Sequence, residues 1–188
     1  VAGDAYTQIP STDDYHSVKM FLSAAGPDMV SKQATAIGSA IKLAVRSFSG
    51  HTEGTAPGES VPSQAIVVIT DGENHEDDAV GEATKANEKG IRVYTVGLGD
   101  PNGVPIPVSP GSTMTRRDQQ GQVVVSKLNE KLLMDIARVG HGAYISGDRI
   151  NSLIDELDEL FITLPEVARI GFFELDGRRL FQCARLHA

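Results

Sequence analysis

Cysteine is almost absent: Cys183 is the only one in 188 residues. A single thiol forms no internal disulfide and no cysteine-based metal site. Basic residues are also outnumbered, 17 Lys and Arg against 25 Asp and Glu, for a formal charge of −8. A surface for nucleic acid or an anionic membrane needs a basic patch, so this balance argues against both and is compatible with cation binding. No apolar run reaches the length needed to span a bilayer, no stretch reads as a secretory leader, and no segment repeats. What remains is ordinary for a globular chain: 40% apolar and 22% charged residues, in a length that predicts one domain. A domain of this size buries about 70% of its unfolded surface and needs no staples.

The stretch that organises the rest is AIVVITDGENHEDD, from Ala65 to Asp78. Ala65 to Ile69 is an unbroken run of apolar residues, mostly β-formers, which predicts a strand buried on both faces of a parallel sheet. It stops at Thr70-Asp71-Gly72, and no apolar residue follows through Asp78. In an open α/β sheet, ligands sit just outside the carboxyl ends of the strands, so Asp71 stands where this architecture places chemistry. The plain alternative is a solvated charged loop.

Alternation of strands and helices surrounds that stretch. Ala5–Ile9 reads as a short strand, and Thr12 or Asp13 as the cap of a helix from about Asp14 to Ala24 with Val18, Phe21 and Leu22 as its apolar stripe. Ile37, Ile41, Val45 and Phe48 recur at helical spacing, and Gly38 near that helix start suggests close backbone packing. Gly50–Ser63 is rich in Gly, Pro, Ser and Thr and reads as a loop. Asp78 caps a helix that Gly90 ends, with a thin stripe of Val80 and Ala83. Ile91–Val96 is a second buried strand, so the segment is a βαβ unit with a right-handed crossover.

Four prolines, Pro101, Pro105, Pro107 and Pro110, exclude a central strand from 101 to 126, where Val104–Val108 and Gln122–Val125 are expected to pair as an excursion hairpin. Arg116-Arg117 reads as solvated. A helix from about Asn129 to Val139 ends at Gly140, and Ala143–Ile145 is a short edge strand. Ile150, Leu153, Ile154, Leu157, Leu160 and Phe161 form an amphipathic helix whose acidic outer face reads as solvated. In the tail, 162–188, a hairpin is expected from Ile170–Leu175, Asp176-Gly177 and Arg179–Gln182, and Ala168–Phe173 is alternatively an added strand of the sheet. The expected fold is α/β, a doubly wound and mostly parallel sheet with helices on both faces.

Two residues carry the candidate chemistry. Thr35 precedes the helix of Ile37, where a hydroxyl serves either as an N-cap or as a ligand. Asp71 ends the strand 36 residues later. Hydroxyl and carboxylate are hard oxygen donors of the kind Mg²⁺ takes while keeping several waters. A second reading, a metal-dependent hydrolase, uses Asp71, Glu73, His75, Glu76 and Asp77, with His75 as ligand or general base. Against it, residues 73–77 are consecutive in a loop, and His16, His51, His141 and His187 form no ligand motif.

The segments Ala2-Gly3-Asp4-Ala5, Thr35-Ala36-Ile37-Gly38, Ile69–Glu76, Val93–Gly99 and Ile136-Ala137 together resemble the von Willebrand factor type A (VWA) family, Rossmann-like in fold. Within it they resemble the bacterial, membrane-anchored Bat or aerotolerance-type branch. The resemblance covers roughly Val1 to Phe161. It implies a partial VWA domain over 1–161, with 162–188 as a hairpin or a membrane-proximal segment. The family's metal-ion-dependent adhesion site joins an Asp-x-Ser-x-Ser segment on the first strand to a Thr and an Asp. Thr35 and Asp71 match the last two, and no Asp-x-Ser-x-Ser occurs in this sequence. The first strand, the first helix and most of the second strand are then expected to lie upstream of Val1, leaving a sheet edge open to pairing and a weak site for Mg²⁺ or Mn²⁺ in these residues alone.

The function implied is a non-enzymatic, metal-dependent protein-binding module, its cation accepting a carboxylate from a partner protein. No small-molecule substrate and no nucleic acid is expected. The implied setting is the bacterial inner membrane with the domain in the periplasm. A scaffold with a vestigial metal site is the remaining alternative.

Overall fold

The computed structural model describes residues 5–7, 9, 12, 14, 16–17, 20–21, 36–52, 64–73, 77–109, 112–149, 169–174 and 183–184. Outside these lie Thr35, His75, Glu76, residues 53–63 of the loop expected over 50–63, the amphipathic helix expected over 150–161 and the Asp176-Gly177 turn.

The elements in chain order are α1 (Ile37–Thr52), β1 (Gln64–Thr70), α2 (Ala79–Glu88), β2 (Ile91–Gly97), the short β3 (Val104–Pro105) and β4 (Val125–Ser126), α3 (Glu130–Val139), β5 (His141–Ser146), β6 (Arg169–Glu174) and β7 (Cys183–Ala184). The main sheet runs in the order β5-β2-β1-β6-β7. β1 pairs in parallel with β2 on one side and β6 on the other, β2 pairs in parallel with β5, and β7 returns antiparallel along β6. The strand expected as an addition over 168–173 thus joins the sheet as β6, which supplies ladder partners to β1 on the side away from β2.

Every residue of β1 is buried, the condition under which a strand can be apolar without alternation. Its two faces feed two cores. Ile66 and Val68, with Ile91 and Val93 of β2, pack under α1, α2 and α3 through Ile37, Ile41, Phe48, Ala83, Leu133 and Ile136. On the reverse face Ala65, Val67 and Ile69 join Tyr94, Val96 and Ile145, also buried. The chain is thus an α/β domain with a covered parallel sheet, as its sequence predicts.

Helix boundaries follow their local signals. Asp78 caps α2 by accepting a hydrogen bond from the Gly81 amide at 2.8 Å, and Asn129 caps α3 through the Leu132 amide at 3.2 Å. The buried face of α2 is small, Ala79, Ala83 and Ala86, which lets the helix lie close to α1 and α3. Two local features differ from expectation. α1 continues to Thr52, two residues past Gly50, because its apolar stripe is already anchored through Phe48. Near the N-terminus the Thr12 hydroxyl accepts the Asp14 amide at 3.1 Å, and Asp14 in turn accepts the amides of His16 and Ser17 at 3.0 and 3.1 Å; Phe21 is exposed rather than part of a buried stripe, and Asp13, Val18 and Leu22 lie outside the described residues.

The segment 101–126 leaves the sheet altogether. β3 and β4 pair antiparallel, and isolated bridges join Pro107 to Thr115 and Arg117 to Val123. Amides of Ile106, Val108, Arg116 and Val124 bond to carbonyls within the same segment, giving a knitted ribbon in place of a loose loop.

Candidate functional site

Strand order reverses at β1. From it the chain moves outward through β2 to β5, while β6 lies on the opposite side. A crevice forms at such a switch point, outside the carboxyl ends of the strands, and Asp71 is the first residue past the end of β1. Thr70 ends the ladder: its carbonyl accepts the Leu98 amide at 2.9 Å and its hydroxyl accepts the Gly72 amide at 3.1 Å. Gly72 then turns the chain with φ of 77°, a conformation open to glycine. A Cβ there would lie 2.9 Å from the Asn129 carbonyl oxygen, so this position also needs glycine for space.

The half-buried Asp71 carboxylate is held at both oxygens. Oδ1 accepts the Glu73 amide at 3.3 Å, and Oδ2 accepts the Ser126 hydroxyl at 3.1 Å. Its backbone carbonyl accepts the Asn129 amide at 2.9 Å. The base of the ribbon and the start of α3 thus close around the residue that the sequence singles out. Ser126 lies 55 residues away, and no local pattern marks it.

The acidic loop returns to α1 through Asp77. Its two carboxylate oxygens accept the Gly38 amide at 3.0 Å and the Ser39 amide at 2.7 Å. These are free donors of a helix start, where the dipole also favours negative charge. Gly38 leaves room for this contact, since a Cβ would lie 3.0 Å from the Asp77 carboxyl carbon and would press the carboxylate back. The segment that begins two residues after Thr35 is thereby fastened to the loop that begins at Asp71. Sequence reading placed Asp77 in a charged loop and missed this role. The available signal was the acid pair Asp77-Asp78, of which only one member can cap α2.

Beside Asp71, at the carboxyl end of β2, Gly97 makes room for Tyr144, whose hydroxyl would lie 2.8 Å from a Cβ there. Tyr144 donates a hydrogen bond to Glu130 Oε1 at 2.8 Å. Burial first, and the Glu130 carboxylate second, push its phenol up to about 12.

Among the described residues no group of three His, Cys, Asp or Glu side chains converges as a metal site, and Asp71, Glu73 and Asp77 form no such cluster. Asp77 is committed to α1. Any cation at the crest would rest on Asp71 and on hydroxyl oxygens, a hard-donor set that fits Mg²⁺ or Mn²⁺ and suits softer metals poorly.

A covered parallel sheet flanked by helices defines a Rossmann-like α/β module, with the Asp71 carboxylate at the crest of its switch point. More particularly, the chain belongs to the von Willebrand factor type A domain family, whose model matches residues 1–105. It is similar to an aerotolerance-related membrane protein of Bacteroides fragilis NCTC 9343 carrying multiple mutations to serine, at 46% identity over 87% of this chain and 77% of that one, with a TM-score of 0.73. It is equally similar to the conserved hypothetical protein BatB of Bacteroides thetaiotaomicron, at 46% identity over 85% and 76% of the two chains, with a TM-score of 0.72. Comparison with curated proteins gives no match.

Proposed function

We propose that the protein is a metal-dependent protein-binding module in which Asp71 and Thr35 hold Mg²⁺ or Mn²⁺ and an open coordination position accepts a carboxylate from a partner protein. The observation that carries this reading is the placement of Asp71 at the switch point, with both carboxylate oxygens oriented by neighbours rather than left to rotate in solvent. The Asp77 bridge supports Thr35 as the second ligand. It satisfies the Gly38 and Ser39 amides, two donors that would otherwise call for a local cap, and it ties the helix start to the Asp71 loop. When bound, the cation supplies charge-assisted capture of an acid without bond breaking. The chain's own residues orient the donors and set the shape around the open position.

The description of the similar B. fragilis protein as a membrane protein supports a membrane-associated parent, and we propose the periplasm as the place of this domain. No helix among the described residues is long and apolar enough to cross a membrane. The alternative is a scaffold whose metal site is vestigial.

Calorimetric titration of the full-length protein with MgCl₂ and MnCl₂ separates the two. Saturable binding is expected, and it should disappear in Asp71→Ala and weaken at least tenfold in Thr35→Ala. A silent titration of the parent would leave the scaffold as the function.

A further inference from the structure

Asn102-Gly103 is the one Asn-Gly pair in the 188 residues. It lies in the turn between β2 and β3, with Asp100, Pro101 and Asn102 exposed. Such a pair is chemically labile, because a glycine leaves the backbone nitrogen after the asparagine free of side-chain hindrance. The fold nevertheless favours glycine here. Gly103 has φ of 92°, and a Cβ would crowd Val125 Cγ1 at 2.7 Å.

Asp100 holds the pair with three hydrogen bonds. Its carbonyl accepts the Gly103 amide at 3.0 Å. Its Oδ1 accepts the Asn102 amide at 2.7 Å and the Asn102 side-chain Nδ2 at 3.0 Å. The same carbonyl accepts the Leu128 amide at 3.2 Å, where the chain leaves the ribbon, and the Asn129 amide next to it donates to the Asp71 carbonyl at 2.9 Å. One residue thus fixes the turn and fastens both ends of the ribbon beside Asp71.

We propose that Asn102 is a latent deamidation site, kept closed by Asp100, and that its conversion loosens the ribbon from the crest. In this reaction the Gly103 backbone nitrogen loses its proton to hydroxide and attacks Asn102 Cγ. The new N–Cγ bond closes a succinimide ring, the Cγ–Nδ2 bond breaks, and Nδ2 leaves as ammonia with a proton from water. A water molecule then opens the ring at either carbonyl. The products are an aspartate, or an isoaspartate whose main chain runs through the former side chain.

Both reacting nitrogens are committed to Asp100 in the closed turn. Attack therefore waits for local opening, and the native rate is the open-chain rate scaled by the open fraction. Two hydrogen bonds of ordinary net worth favour the closed turn by a factor of roughly 10 to 100. Conversion acts the other way. Nδ2 donates to Asp100 Oδ1 across 3.0 Å, and a carboxylate oxygen in its place turns that attraction into like-charge repulsion.

The test ages the chain in alkaline buffer at 37 °C, folded and in urea, and follows residue 102 by peptide mass spectrometry with isoaspartate counted separately. In urea Asn102 should convert before the other asparagines. In the folded parent it should convert at least tenfold more slowly. Asp100→Ala should raise the folded rate at least fivefold, whereas Asp100→Asn, which keeps an Oδ1 acceptor, should stay near the parent. In Asn102→Asp the Gly103 and Leu128 amides should exchange with solvent at least tenfold faster, with Val67 and Val68 of β1 unchanged. Equal rates in the folded and urea-unfolded parent would overturn the proposal, and this ratio decides even if Asp100→Ala fails to fold. So would a parent-like rate in a folded Asp100→Ala, or unchanged Leu128 exchange in Asn102→Asp.

Discussion

Asp77 and Asp78 are adjacent carboxylates that cap two different helices. Asp78 serves its own helix, α2, while Asp77 reaches across to the start of α1. Two charge-assisted bonds at a helix start contribute about 1–2 kcal/mol. Asp77→Ala is therefore expected to lower the unfolding free energy by about that amount, read from the urea midpoint at unchanged m-value. Gly38→Ala alone should also destabilise, by about 1 kcal/mol, because the added methyl displaces the pinned carboxylate. In the Asp77→Ala background the same change should turn neutral or stabilising, since alanine is the better helix former by up to about 1 kcal/mol. Additive effects in that double-mutant cycle would show that Asp77 and Gly38 do not depend on each other.

At the scale of elements, α3 and β5 are joined at the crest by Tyr144 and Glu130, and α3 and β2 by Thr95. The fully buried Thr95 hydroxyl donates to the Leu133 carbonyl at 2.9 Å. The Tyr144 phenol gives the first joint a pH signature. Its folded value of about 12 lies above the ordinary value near 10. A raised value means that the folded state holds this proton more tightly than the unfolded chain. The contribution is complete below pH 10 and is lost as pH rises through 12. Denaturant unfolding followed from pH 9 to 12 should show stability falling in the parent, and less steeply in Tyr144→Phe. Absorbance at 295 nm should show a late-ionising step in the native protein that this substitution removes. An unchanged pH slope in Tyr144→Phe would place the alkaline loss elsewhere.

For the molecule as a whole, β1 and β2 both feed the two cores, and β1 is the strand from which the sheet order departs in two directions. Its centre should open only with global unfolding, so the Val67 and Val68 amides are expected among the slowest to exchange with solvent. Ile66 is fully buried between the sheet and α1, α2 and α3, and Ile66→Ala should cost about 2–5 kcal/mol. Such a loss would also loosen Asp71 five residues on. Weaker Mg²⁺ binding in Ile66→Ala at temperatures where it remains folded would tie the core to the crest. The ribbon lies outside this sheet, and substitutions on it should leave exchange in β1 unchanged.

The amino-acid sequence by itself determined β1, β2, the capped helices α2 and α3, the excursion of residues 101–126 and the position of Asp71 at the end of β1. Each of these is written in local signals: an apolar run, an acid or amide before a helix, prolines that cannot join a ladder. It also carried the family, because the Thr70-Asp71-Gly72 turn and its neighbours are contiguous in the chain. Tertiary structure alone decided that β6 pairs with β1, that Asp77 caps α1 and that Ser126 holds Asp71. These pairings join residues tens of positions apart, and no propensity or spacing encodes them. A backbone edge or a carboxylate accepts any geometrically suitable donor, and which one arrives depends on how the whole sheet and its helices pack.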